Sequence, residues 1–111
     1  MSEPMSFDGF EEFVARHEEF LVTSHVDPDG DAVGSCLGLA LALRRMGKAA
    51  EVILDQPLPG SLRFLPGSDD VRSAAEVSRG YDAAFVLDCS SLDRTGAVGE
   101  RCLNLGAHVA V

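Results

Sequence analysis

Apolar positions along this chain fall into two spacings, and the spacings predict its elements. Phe7, Phe10, Phe13, Val14 and His17 recur at helical intervals, so a first helix is expected there, with Ser6 as its cap and His17 at the edge of its apolar face. The run from Phe20 to Ser24 reads as a buried strand. A second helix is expected to start near Asp31, a good N-cap residue, and to end at Arg44-Arg45-Met46-Gly47-Lys48. Gly47 suits a C-cap there, and the arginines suit the negative end of the helix dipole. Gly34, Gly38 and Ala42 recur every four residues, a spacing that predicts close packing of this helix on a sheet.

Ala50 to Leu54 predicts a second strand. Pro57, Pro59, Gly60, Pro66 and Gly67 mark a long connection, with Leu62, Phe64 and Leu65 as its apolar anchor. A short helix is expected over Ser73 to Ser78, and strands over Ala83 to Leu87 and Ala107 to Val111. Strands alternating with helices predict an α/β fold, a mainly parallel sheet with helices on both faces. The chain stops inside an apolar strand, where a parallel sheet would next present a functional turn, so truncation at the C-terminal end is expected.

Composition narrows the function classes. The 111 residues suffice for one domain with a modest core. A net charge of −9 argues against a free-standing duplex-DNA binder, which needs a basic face. It suits a collector of cations, and equally a plain acidic surface. The three cysteines, Cys36, Cys89 and Cys102, have no C-x-x-C spacing and read as reduced packing residues. No signal peptide is visible and the apolar run Ala32 to Leu43 is too short to span a bilayer, so a cytoplasmic location is expected.

Candidate chemistry is concentrated between the first strand and the second helix, in His25-Val26-Asp27-Pro28-Asp29-Gly30-Asp31-Ala32-Val33-Gly34-Ser35. Turn geometry accounts for Pro28, Gly30 and Asp31 but not for His25 and Asp29. An EF-hand reading fails, because counting from Asp27 puts Ala32 at position six and Gly38 at position twelve. A dinucleotide-binding reading fails for want of G-x-G-x-x-G. Imidazole and carboxylates on one loop are instead the donors of a divalent-metal site. Asp88 closes a buried strand and so faces the same crevice. With His25, Asp29 and Asp31 it suggests a bridging ligand in a two-metal centre. The N-terminal dipole of the second helix disfavours a cation there, but its free N–H groups favour a phosphate oxygen. Cations beside a helix N-terminus together suit an anionic phosphoester.

Three stretches carry a resemblance. They are the loop from His25 to Ser35, Leu62-Arg63-Phe64-Leu65-Pro66-Gly67, and Val86-Leu87-Asp88-Cys89-Ser90-Ser91-Leu92-Asp93-Arg94-Thr95-Gly96. In this order and spacing the chain resembles the N-terminal part of the DHH-family phosphoesterases, of the bacterial oligoribonuclease (nanoRNase) and pAp-phosphatase type. The resemblance implies a Rossmann-like domain of which residues 1–111 are the N-terminal part, the rest of that domain and a C-terminal substrate-binding domain being absent.

It also implies that His25 and Asp29 bind one metal, Asp31 binds a second, and Asp88 bridges them, so that Asp29, Asp31 and Asp88 act in catalysis through the metals. Asp27 falls at a variable position of the motif and receives no role. The Asp-His-His signature would follow Val111, and His108, inside the last strand, cannot replace it. The expected cofactors are two divalent ions, with Mn²⁺ the expected identity. The expected reaction is hydrolysis of short oligoribonucleotides and 3′-phosphoadenosine 5′-phosphate by a metal-activated water. Its expected partners are short single-stranded RNA or a small phosphorylated nucleotide, a second copy of the chain as a homodimer, and no membrane. Two alternatives stay open. One is a related manganese phosphohydrolase acting on pyrophosphate, polyphosphate or cyclic dinucleotides. The other is an inactive metal-binding or interaction module.

Overall fold

A computed structural model of the chain describes residues 7–25, 30–77, 79–87, 96, 98 and 102–110. Its elements are α1 (Phe7–Arg16), β1 (Glu19–Ser24), α2 (Gly30–Arg45), β2 (Ala49–Leu54), β3 (Arg72–Ser73), β4 (Tyr81–Leu87) and β5 (Leu103–Ala110). Short 3₁₀ turns at Gly60–Leu62, Ser68–Asp70 and Ala74–Glu76 fill the connections. The strands form one sheet in the order β3-β2-β1-β4-β5, and every neighbouring pair is parallel. The sequence expectation of a parallel α/β sheet is met.

The sheet is apolar on both faces, as a covered parallel sheet must be. On one face Phe20, Val22, Val52, Leu54, Ala83 and Phe85 pack with Phe13 and Val14 of α1 and with Val33, Cys36, Ala40 and Leu43 of α2. Phe13 and Phe85 meet edge to face with ring centres 5.1 Å apart. On the other face Leu21, Ile53 and Ala84 pack with Ala74, Val98 and Cys102. Among the described residues, both long helices therefore lie on one face, and the 3₁₀ turn with Val98 and Cys102 covers the other. Burying each Leu, Ile, Val or Phe here contributes roughly 1.5–3 kcal/mol. Cys36 and Cys102 are buried, as packing residues should be; Cys89 lies outside the described residues.

Four local expectations change. Gly34, Gly38 and Ala42 do not face the sheet: a Cβ built on Gly34 or Gly38 meets nothing within 4 Å. Ala32, Val33, Cys36, Ala40 and Leu43 are the buried face of α2. Val33, Cys36 and Leu43 give that face more apolar surface to remove from water than Gly34, Gly38 and Ala42 offer. Asp31 is not the N-cap: α2 starts at Gly30, which puts Asp31 in the first turn, while Ser6 and Asp29 lie outside the described residues. Phe64 does not anchor its loop, since it is 78% exposed while Leu62 and Leu65 pack on the core. The expected helix over Ser73 to Ser78 is a two-residue strand followed by the 3₁₀ turn Ala74–Glu76, with Ser78 outside the described residues.

The end of α2 behaves as expected. Lys48 N–H donates to Leu43 O and Gly47 N–H to Arg44 O, each at 3.0 Å, the two bonds of a Schellman cap. Gly47 supplies the left-handed residue that this cap requires, at φ 85°. Arg44 donates to Ala50 O from Nε and Nη2, at 3.1 and 2.8 Å, and so ties the helix end to β2.

Candidate metal and phosphoester site

The strand order reverses between β1 and β4. From β1 the chain builds outward through β2 to β3, then returns to place β4 on the other side of β1. In open parallel sheets, ligands bind outside the carboxyl ends of the strands at this switch point.

The register fixes which residues arrive there. Leu21, Val22, Thr23 and Ser24 pair with Ala84, Phe85, Val86 and Leu87. Ser24 is buried, and its Oγ donates to Leu87 O at 2.7 Å. The two strands therefore end side by side. The next residue in sequence after Ser24 is His25, and the next after Leu87 is Asp88.

His25 is half-buried just beyond β1, and Asp31 is exposed in the first turn of α2. A carboxylate in that turn is favoured by the positive end of the helix dipole. The described structure thus brings His25 and Asp31 to one end of the sheet, at the switch point. Asp27, Asp29 and Asp88 lie outside the described residues. Among the described residues no three His, Cys, Asp or Glu side chains converge in a way that could hold a metal ion.

The Leu62–Gly67 stretch closes against the same helix. A Cβ on Gly30 would sit 3.6 Å from Leu62 Cδ2, and one on Gly67 would sit 3.6 Å from Leu37 Cδ2. Ser68 Oγ donates to Arg63 O at 2.7 Å and holds the turn. Leu65, Pro66 and Gly67 form one wall of a 430 Å³ groove whose other wall is Gly34, Leu37, Gly38, Leu41 and Arg44. Sequence reading missed this groove. Its signal in the sequence is the four-residue spacing of Gly34 and Gly38, which line it. No helix among the described residues is long and apolar enough to cross a membrane.

Known proteins resemble the chain in sequence and in fold. Over 55 residues the chain is 47% identical to the bifunctional oligoribonuclease and PAP phosphatase NrnA of Thermus thermophilus, covering 50% of this chain and 16% of that protein. Its fold matches the crystal structure of an exopolyphosphatase-related protein from Bacteroides fragilis with a TM-score of 0.74 and 31% identity, over 84% of this chain and 29% of that one. The chain thus spans less than a third of the length of either relative. The model of the DHH family N-terminal domain matches residues 19–111, from the first residue of β1 onward, and the chain belongs to the DHH family.

Proposed function

We propose that this chain supplies half of the catalytic centre of a metal-dependent phosphoesterase that hydrolyses short oligoribonucleotides and 3′-phosphoadenosine 5′-phosphate. One observation carries the reading. In a chain of the DHH family, His25 and Asp31 come to the switch point where β1 and β4 end together. The relative from Thermus thermophilus, with its oligoribonuclease and PAP phosphatase names, supports the substrate class.

The donor set fits divalent cations. An imidazole and carboxylates are the ligands that borderline and hard ions of the Mn²⁺ class accept. His25 and Asp29 would hold one ion, Asp31 the other, and Asp88 would bridge them. Bound there, two such ions supply a water activated near neutral pH and charge stabilisation on the phosphoryl oxygens. The chain's own part is positional. β1 and β4 fix the starting points of the His25 and Asp88 segments, and the Ser24–Leu87 bond holds those strand ends together. The first N–H groups of α2 are donors suited to a phosphoryl oxygen.

The test is Mn²⁺-dependent release of mononucleotide from a short RNA, and of phosphate from 3′-phosphoadenosine 5′-phosphate. This chain is compared with the same chain extended through a further domain. Activity confined to the extended protein, and abolished by H25A, is the expected result. A second reading rests on the exopolyphosphatase-related neighbour, which favours a polyphosphate substrate. Hydrolysis of polyphosphate or pyrophosphate, with RNA left intact, would replace the first reading with the second.

A further inference from the structure

The chain has three histidines, and they divide between two places. His25 follows the carboxyl end of β1. His17 and His108 meet toward the opposite end of the sheet, where His17 follows α1 and His108 stands opposite Ala83 near the start of β4. Their ring centres are 5.4 Å apart, with 51° between the planes.

The His17 ring is fixed on its other sides. It packs on Phe13 at 5.0 Å and on Phe20 at 6.0 Å between ring centres. Its Nδ1 lies 3.1 Å from Phe13 O. A carbonyl oxygen can only accept, so Nδ1 carries the proton and donates. The neutral ring then keeps its lone pair on Nε2. Metal-ligating histidines are held in the same way, one ring nitrogen donating to a backbone carbonyl so that the other is set for the metal. The His108 ring is exposed, so it can turn without disturbing the core. Two imidazoles on one tetrahedral ion keep their ring centres roughly 5–6 Å apart, given metal–nitrogen bonds of about 2.0–2.1 Å.

We infer that His17 and His108 form a two-imidazole site for a transition-metal ion of the Zn²⁺, Ni²⁺ or Cu²⁺ class. Imidazole without carboxylate selects these ions over Mn²⁺ and Mg²⁺. Among the described residues no third His, Cys, Asp or Glu completes the set, so water fills the remaining positions. An ion here links the end of α1 to strand β5, two elements far apart in sequence, and stabilises the folded chain by binding it preferentially.

The test follows the imidazole nitrogens by NMR during Zn²⁺ titration of the H25A/D31N chain, in which the donors at the strand end are reduced. The His17 Nε2 and His108 ring signals should move together and saturate near one equivalent, and Mn²⁺ should not compete. H108A should abolish the His17 shift and weaken Zn²⁺ binding at least tenfold. Position 108 is exposed, so this variant should keep its fold; unchanged amide spectra would verify that. A His17 Nε2 signal that stays unmoved at saturating Zn²⁺ would overturn the proposal. So would a shift that persists in H108A. Either result leaves the strand-end centre untouched, since that is tested by phosphoester hydrolysis.

Discussion

Ser24 Oγ donates to Leu87 O at 2.7 Å, and this bond joins the carboxyl ends of β1 and β4 at the point where the sheet order reverses. Both residues directly precede candidate metal ligands, His25 and Asp88. S24A removes a buried donor and leaves a carbonyl short of one partner. It should lower stability by about 1–2 kcal/mol in a urea melt. It should also weaken Mn²⁺ binding, because the strand ends are no longer tied. Unchanged stability would make the bond incidental.

In the proposed centre Asp29, Asp31 and Asp88 would repel one another until a cation joins them. Mn²⁺ is therefore expected to raise the melting temperature of this chain. H25A, D31N and D88N should each remove most of that rise, while H108A should leave it intact. Zn²⁺ should show additional stabilisation that H108A abolishes. Differential scanning fluorimetry with the two ions and four variants reads both sites at once. No Mn²⁺ shift at saturation would count against the strand-end centre.

Two glycines in or near α2 should respond oppositely to alanine. Gly38 lies mid-helix with open space where a Cβ would go, so G38A should stabilise by about 0.5–1 kcal/mol. Gly47 sits at φ 85° in the helix cap, so G47A should destabilise by about 1 kcal/mol. Loss of stability in G38A would mean that this face of α2 is packed in solution.

The Glu76 carboxylate accepts from Ser73 N–H at 2.9 Å and from Ser73 Oγ at 3.1 Å. The bond from the Ser73 backbone, then that from its hydroxyl, holds the Glu76 carboxyl below its ordinary value of 4.5. A carboxylate whose folded value is depressed adds stability that is present above its unfolded value and lost as pH falls through the folded one. E76A should therefore melt below the parent chain at neutral pH, and the difference should close as the solution is acidified below 4.5. A gap that persists unchanged into acid would assign the loss to packing instead of charge.

Glu19 and Arg79 form a two-pronged pair at 2.7 and 3.1 Å, joining the start of β1 to the residues before β4. The Arg79 guanidinium, by hydrogen bond and then by charge, keeps the Glu19 carboxyl below its usual value. It also lies 4.4 Å from the centre of the Tyr81 ring. The pair is exposed, so R79A should cost little stability, and 0.5 M salt should shrink the cost further. A large, salt-insensitive loss would point to the ring contact as the stabilising part.

The sequence by itself determined the α/β class, both long helices, the strands β1, β2 and β4, and the loop that carries the candidate metal ligands; it read β3 as helix. Those follow from local rules: apolar spacing, cap chemistry, and which side chains accept a cation. Which strands neighbour one another was decided only by the tertiary structure, because register depends on pairing between segments as distant as Ser24 and Leu87. So were the outward turn of Gly34 and Gly38 and the exposure of Phe64. A four-residue spacing marks one face of a helix but not what that face meets, and here the face with Val33, Cys36 and Leu43 meets the sheet. His17 and His108 each read alone as structural. They became a pair only when β5 joined the sheet beside β4 and brought one imidazole to within 5.4 Å of the other.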